Sequence, residues 1–578
     1  MTITSEQLTQ LLLGSNVMTE TQLNEAQIAA TKSGVPIEDY LVDAGMISDE
    51  HVGQLIANHL RVNYVDVAKQ KIPDDILHMI PEAVARAKGV IAFAKDATTI
   101  SIAMIDPNDL EMRRFVEKRS GLMVEPFYTT IKNFRLAASR YQASAAEAVQ
   151  KILDRLQSPT LTKNQREQSI VALVDTILHY AETNGTSDVH IDPMEEQAMI
   201  RFRIDGILND ILPLSKTILE MVVARVKILA KMRTDEHRAA QDGKMSFVMT
   251  QPDVIDKKNI PIKIDVRVSI VPTTQGENIV LRLLSATNRS LTLDDLGLAS
   301  HDAAQVRKAI QNSVGMILVT GPTGSGKTTT LYGILKILNQ RNVNIATIED
   351  PVEYAVDGVT QIQVNPKTNL TFANGLRAIV RQDPNIIMVG EIRDHETADI
   401  AINSAMTGHL VLSTLHTNNA ATTLPRLLDM GIEPFLVAST IHIAMAQRLV
   451  RKVCENCRTS FAPSDEEVAS LATQPVVHDA FIKRLGNEAA LLTVRLYRGE
   501  GCRLCENTGY VGRVGIFEVL QMSARIKEAI LTRQSSSQIT AIARSEGMTT
   551  MVEDGIDKVI QGVTTISEIL RVAGSEYE

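Results

Sequence analysis

The chain has 578 residues, too many for one compact core, and units of ~100–200 residues suggest about three to five domains. Apolar residues make up 44% and charged residues 22%, a globular balance that excludes a disordered or fibrous protein. Lys and Arg number 59 against 68 Asp and Glu, and the net charge of −9 gives no global field toward nucleic acid or anionic lipid.

The opening MTITSEQLTQ shows no basic segment followed by an apolar stretch, so no secretory signal is visible. Runs such as Met316–Thr320 and Ile386–Val389 are strand-sized, and none nears the ~20 residues that cross a bilayer. The expectation is a soluble protein that reaches any membrane through a partner. Trp is absent and aromatics are 4%, so Leu, Ile, Val and Ala must build the cores.

The first ~140 residues carry amphipathic helical signals. Leu11, Leu12, Leu13, Leu23, Ala26 and Ile28 form one block with Thr19 as N-cap, and LVDAGMISDEHVGQLIANHL forms a second, capped by Ser48 with Glu50 in its first turn. The shared pattern reads as a degenerate duplication at a spacing of about thirty residues. GVIAF and TISIAMI then read as strands. Residues 142–168 are polar, Ser/Gln/Ala-rich and broken at Pro159, which marks a linker containing one helical piece. From Ile170 comes a mixed α/β unit with strands AMIRFRID, KIDVRVSIV and NIVLRLL. Residues 291–450 alternate strand and helix, the rhythm of a parallel sheet covered on both faces.

Within that stretch MILVTGPTGSGKTTT places an apolar strand before Gly321-x-x-x-x-Gly326-Lys327-Thr328, with a helix following. This is the strand–loop–helix context of a phosphate-binding loop. Residues Gly321, Pro322, Thr323, Gly324, Ser325, Gly326, Lys327, Thr328 and Thr329 are the candidate ATP-binding set. The glycines let backbone N–H groups turn onto phosphates, Lys327 reaches the β- and γ-phosphates, and the Thr328 hydroxyl is offered to Mg²⁺. The next strands end in Glu349-Asp350-Pro351-Val352-Glu353, Gly390-Glu391-Ile392-Arg393-Asp394 and Leu415-His416, with His409 at the start of the last. An open parallel sheet builds its site at such carboxyl ends.

The four cysteines are Cys454, Cys457, Cys502 and Cys505, two Cys-x-x-Cys pairs with none left over. They read as four thiolate ligands for a structural Zn²⁺, with a redox Cys-x-x-Cys as the rival.

The segments GPTGSGKTT, TIEDPVEY, IIMVGEIRD and TGHLVLSTLHTN resemble the signature boxes of the type II and type IV secretion and pilus ATPase superfamily. The resemblance continues through SDVHIDP, RFRIDG, AAQDGK, DVRVSIVPTTQGENIVLRLL and TGYVGRVGIFEVL. It implies a multidomain α/β fold. An N-terminal helical and α+β domain (1–141) and the linker (142–168) precede a PAS-like α+β domain (169–290). A RecA-like P-loop core with a parallel sheet (291–450), a tetracysteine zinc subdomain (451–519) and a helical tail (520–578) follow.

The resemblance also implies roles. Gly390 stands where most P-loop enzymes carry the Mg²⁺-directed Asp, so Glu391 holds the metal, Glu353 is the general base and Glu349 supports it. His409 and His416 line the site in relatives. The core itself offers little positive charge beyond Lys327; of the strand arginines Arg201, Arg203, Arg267 and Arg282, those at Arg267 and Arg282 reach the nucleotide in relatives.

A homohexameric motor for assembly of a type IV pilus or related pseudopilus is the implied function. Its cytoplasmic ring would work against an inner-membrane platform protein and cytoplasmic alignment proteins, without direct membrane insertion. The zinc subdomain, absent from retraction motors, favours assembly. The alternatives are a type II secretion or DNA-uptake motor, and outside that class a P-loop nucleic-acid translocase or a signalling module with a vestigial ATPase. The acidic balance and lack of a basic, aromatic stripe oppose nucleic acid, and the intact Lys327, Thr328, Glu353 and Glu391 oppose a vestigial enzyme. The duplicated block resembles a domain that binds cyclic di-GMP in some relatives. Its repeats begin Glu6-Gln7-Leu8 and Pro36-Ile37-Glu38, the first ends Ala29-Ala30-Thr31, and the arginine that would contact the dinucleotide is absent, so docking without that ligand is expected.

Overall fold

The computed structural model describes all residues except 1–4, 15–17, 20–21, 24–25, 28–36, 38–40, 43–45, 139–140, 142–144, 157–160, 253–258, 285–292, 294, 503–504, 506 and 574–578. The chain forms two compact units. The first is Met1–Ala286 with Val453–Phe461 and Arg498–Val511; the second is Thr287–Lys452 with Ala462–Tyr497 and Gly512–Glu578. No described helix is long and apolar enough to cross a membrane.

The first unit opens with helix Ser5–Gly14 and continues to helix Asp49–Leu60, whose cap Ser48 accepts from the His51 N–H. The Thr19 hydroxyl accepts from the Gln22 N–H, the cap its position suggested. Leu8, Leu12, Leu23, Leu41, Val52 and Ile56 share one core. Ile28, Ala29-Ala30-Thr31, Pro36 and Glu38 lie outside the described residues. Strands β1 (Asn63–Tyr64), β2 (Val90–Lys95), β3 (Thr99–Met104) and β4 (Met123–Tyr128) follow, in sheet order β1-β4-β3-β2.

Within the expected linker the described residues include helix Ala145–Leu156, whose Val149, Leu153 and Leu156 are buried in the next core. Helix Lys163–Thr183 begins inside it too, closed by a capping box between Thr162 and Gln165. An apolar stripe on an otherwise polar helix is enough to seat it, so much of 142–168 packs as part of the following fold.

That fold is a six-stranded antiparallel sheet of β5 (Thr186–Pro193), β6 (Gln197–Ile204), β7 (Ile207–Ser215), β8 (Gln241–Pro252), β9 (Asn259–Thr273) and β10 (Gly276–Leu284). The order is β7-β6-β5-β10-β9-β8. Side chains alternate between faces. Val189, Ile191, Ile200, Phe202, Val266, Val268, Ile279 and Leu281 pack with helices Lys163–Thr183 and Lys216–Leu229. The opposite face carries Asp188, His190, Asp192, Arg201, Arg203, Arg267 and Arg282.

The second unit holds a seven-stranded sheet built from β11 (Gly315–Thr320), β12 (Ile345–Glu349), β13 (Val359–Gln363), β14 (Ile386–Val389), β15 (Leu410–Leu415), β16 (Ile441–Val453) and β19 (Tyr510–Gln521). A separate two-stranded sheet joins β17 (Arg458–Phe461) to β18 (Leu496–Gly499). The large sheet runs β13-β12-β14-β15-β11-β16-β19, and every pairing from β13 to β16 is parallel. All of β11 is buried, as a central strand covered on both faces requires.

The sheet crosses the expected boundaries at 450/451 and 519/520. β16 extends to Val453, and β19 brings Phe517 and Val519 into the core beneath the phosphate loop's strand. Between the cysteine pairs the chain forms helices Asp465–Ala472 and Pro475–Leu485, and Lys483 and Arg484 pair with Glu553 and Asp557 of tail helix Met551–Ile560 at 2.7 and 2.8 Å. The span 451–519 is thus divided between core, knuckles and tail packing instead of forming one body.

Candidate nucleotide site and cysteine cluster

The glycine loop leaves β11 and enters helix Lys327–Leu338. Gly321, Gly324 and Gly326 have φ of 146°, 81° and 89°, a region L side chains rarely enter. A Cβ on Gly321 would lie 2.5 Å from the Gln447 carbonyl oxygen and 2.7 Å from Ser325 Oγ. The loop closes because these positions lack side chains. Ser325 Oγ is buried with no hydrogen-bond partner among the described residues, and Lys327 Nζ folds back onto the Gly321 and Pro322 carbonyls at 2.8 and 2.9 Å. An orphaned hydroxyl and a lysine turned onto its own loop fit a cradle whose natural occupant is a phosphate.

Burial pushes the Lys327 ammonium down to about 8, the Glu391 carboxylate opposing this and Arg448 adding to it. Arg448 is itself buried on β16, which pairs with β11 so that Ala446 stands beside Thr320. The core therefore holds a second cation near the loop, more positive charge than the sequence suggested. Its neighbour Gln447 accepts from the Thr330 hydroxyl at 2.7 Å and fixes the loop's exit helix to β16. Neither was found in the sequence, because their role depends on which strand lies beside β11.

Glu349 ends β12 and is 2% exposed. Its carboxylate accepts from Tyr332 Oη, from Thr347 Oγ1 at 2.6 Å and from Gln361 Nε2 at 3.2 Å. Burial raises its pKa, and these three donors only partly offset the effect. Tyr332 Oη in turn accepts from the Glu353 N–H at 3.4 Å. Glu349 is thus caged, and Tyr332, a residue of the loop helix that no motif singles out, links it to the Glu353 backbone.

Gly390 follows β14 against the end of β12: a Cβ there would meet Glu349 Cα and the Ile348 oxygen, both at 3.3 Å. A side chain there would press on the backbone at the end of β12. Glu391, 12% exposed at its side chain, forms an ion pair with Arg393 Nε at 2.7 Å and lies 3.1 Å from His416 Nε2. His416 is held by the neighbouring turn, where the Thr417 N–H donates to Thr320 Oγ1 at 2.9 Å. The structure thus brings Lys327, Glu391 and His416 to the carboxyl ends of adjacent strands. His409 is at the opposite end of β15, its Nδ1 2.9 Å from the Ser404 oxygen and its backbone paired with Gly315. A strand of six residues separates it from the loop by about 20 Å, so it lies away from this site. The residues that would hold Mg²⁺ are Thr328, half-buried in the first turn of the helix, and Glu391.

Arg267 and Arg282 are in the first unit, directly paired across β9 and β10 on the polar face of that sheet. Arg282 Nε donates to Asp188 Oδ1 at 2.9 Å, and its side chain is 61% exposed. Arg201 pairs with Asp192 and Arg203 with Asp188.

The four cysteine sulfurs lie within 4.8 Å of one another. Separations of 3.8 Å (Cys454–Cys502), 3.8 Å (Cys457–Cys505) and 3.7 Å (Cys502–Cys505) match the ~3.8 Å edge of a tetrahedron with Zn–S bonds of ~2.3 Å. They are far from the ~2.0 Å of a disulfide. Asn456 Nδ2 and the Gly509 N–H donate to the sulfurs of Cys502 and Cys505 at 3.2 and 3.3 Å, orienting them. The cluster fits Zn²⁺ with every ligand position filled by protein, a structural site.

A glycine loop between a buried parallel strand and a helix, with carboxylates at the neighbouring strand ends, defines a P-loop nucleoside triphosphatase. The chain belongs to the type II/IV secretion system protein family, whose model matches residues 163–571, and it is a pilus or secretion ATPase. Residues 60–148 match the MshEN domain. Among curated relatives, the type IV pilus assembly ATPase PilB of Myxococcus xanthus is 35% identical over 578 residues, covering 98% of each chain. The PilB of Thermus thermophilus is 36% identical over 93% of this chain, which spans 59% of that longer protein. The type II secretion system protein E of Pseudomonas aeruginosa is 41% identical over 72% of this chain and 78% of its own.

Proposed function

We propose that the protein is the homohexameric cytoplasmic motor that powers type IV pilus assembly, bound peripherally to the inner membrane through a platform protein and cytoplasmic alignment proteins. The observation that carries this choice is end-to-end similarity to a pilus assembly ATPase, with 98% of each chain aligned. A type II secretion motor is the second reading, favoured by the higher identity, 41%, over 416 residues.

In this reading the Lys327 ammonium leaves the Gly321 and Pro322 carbonyls for the β- and γ-phosphate oxygens, while the loop N–H groups and Ser325 hydroxyl hold the remaining oxygens. Glu353 takes the proton of the attacking water, and Glu349 with Tyr332 holds the Glu353 backbone in place. Thr328 and Glu391 would hold Mg²⁺, which would supply positive charge against the phosphate oxygens. Arg267 and Arg282 bring further positive charge to the transferring group when their domain closes, and release it after hydrolysis. Cys454, Cys457, Cys502 and Cys505 would hold Zn²⁺, which would serve to tie the two knuckles together.

A deletion strain decides between the two readings. Loss of surface pili with normal exoprotein release, restored by the wild-type gene and not by Glu353→Gln, supports pilus assembly. Normal piliation with trapped exoproteins refutes it.

A further inference from the structure

Two strand arginines stand directly opposite one aspartate. In the register of the polar sheet face, Asp188 of β5 is flanked by Arg203 on β6 and Arg282 on β10. Asp188 is 6% exposed. One carboxylate oxygen accepts from Arg282 Nε at 2.9 Å; the other accepts from Ser187 Oγ at 2.9 Å and lies 3.6 Å from Arg203 Nε. The carboxylate is therefore fixed from several sides, while the arginine it grips keeps a side chain 61% exposed. The other aspartate of this strand face is arranged differently. Asp192 pairs with Arg201 on β6, but across β10 it meets Asn278 at 2.7 Å, not an arginine.

We propose that Asp188 is a positioning residue for Arg282, setting the guanidinium in the orientation in which it is delivered to the nucleotide. The proposal rests on the arginine reading above. An exposed arginine on an open sheet face samples many rotamers, each of which would have to be frozen out at every turnover. A charge-assisted bond to Nε fixes the terminal torsion and the plane of the guanidinium in advance. Because the bond is made at Nε, it engages the inner edge of the guanidinium, and the terminal nitrogens lie further out along the side chain. Ser187 and Arg203 hold the carboxylate itself, so the strand pairing of β5 with β6 and β10 becomes part of the geometry of catalysis.

A purely structural ion pair makes a different prediction, and a double-mutant cycle separates the two. Steady-state ATP turnover would be measured for wild type, Asp188→Ala, Arg282→Ala and the double variant, each checked for folding by thermal melting. Asp188→Ala is expected to lower kcat on the order of 10-fold to 10²-fold with KM changed less than about 3-fold, the signature of misplacement at the reacting centre. Arg282→Ala is expected to lower kcat ~10²-fold or more, and the double variant to be no worse than Arg282→Ala alone. Asp188→Asn, which keeps an acceptor for Nε, should recover most of the loss. If the alanine variant fails to fold, Asp188→Ser carries the same cycle, its hydroxyl being polar but too short to reach Nε. An Asp188 effect of equal size with and without Arg282, or no effect on kcat, overturns the proposal while leaving the arginine reading intact. Wild-type turnover in Arg282→Ala overturns both.

Discussion

Lys327 is held by its own loop and depressed to about 8 chiefly by burial. Phosphate oxygens replacing the two carbonyls would favour its charged form, so binding should raise its pKa. Above the free-state value, ATP binding must then be accompanied by proton uptake, and affinity must fall as pH rises through about 8. Calorimetry in buffers of differing ionisation enthalpy near about pH 8.5 checks this; uptake should be seen for wild type and vanish in Lys327→Arg, which stays charged. Equal heats in all buffers would contradict it. Glu353→Gln should stop hydrolysis and leave nucleotide affinity within a few-fold, since a general base contributes ~10²–10⁴ to rate and little to binding. Turnover in that variant at a tenth of wild type or better would remove Glu353 from the base role. The loop glycines, Lys327 and the strand-end carboxylates were legible because their spacing is local. Tyr332, Gln447 and Arg448 were not, since each acts through a neighbour brought in by strand order or helix packing.

The cysteine pairs were legible as a metal set from spacing alone, but the course of the chain between them was not. Local periodicity marks Tyr510–Gln521 as a strand without saying which sheet takes it, and it joins the nucleotide-binding sheet. The same limit made residues 142–168 read as a linker although Val149, Leu153 and Leu156 are core. Zinc should co-purify at one atom per chain, and Cys502→Ser should lose it with the phosphate loop spared. Elemental analysis without zinc under non-chelating conditions would count against the site. The tail has its own fastening. Glu568, 1% exposed in helix Ile566–Ala573, accepts from Arg451 Nη2 at 2.6 Å and from Arg571 Nη2 at 2.6 Å. Burial alone would raise its pKa, but the two arginines outweigh burial and bring it down to about 2. A depressed carboxylate stabilises the fold above its unfolded value and loses that contribution as pH falls from about 4.5 toward 2. Glu568→Gln should cost on the order of 3 kcal/mol in thermal or denaturant unfolding at neutral pH, with the deficit shrinking in acid. A deficit independent of pH would show that packing, not charge, fastens the tail.

At the scale of the whole molecule, the proposed chemistry draws on residues of both compact units. The phosphate loop and its carboxylates belong to one compact unit, and Arg267 and Arg282 belong to the other. In the proposed mechanism the arginines ride on a domain whose movement couples nucleotide state to mechanical angle. The matched stretches, residues 60–148 and 163–571, follow the order in which the duplicated block and the motifs stand in the sequence. The arginines were not distinguishable by pattern from other strand charges, and only family resemblance selected them. The structure adds that Arg282 is gripped by a buried aspartate, which ordinary surface charges seldom are. In the proposed mechanism, closing the arginine-bearing domain completes the site. A structure of the full-length protein with a non-hydrolysable ATP analogue tests it most directly. At least one subunit should place the Arg267 or Arg282 guanidinium within ~4 Å of a γ-phosphate oxygen, at contact distance for an ion pair. Both guanidinium groups more than ~10 Å away in every subunit, beyond a Debye length, would contradict it.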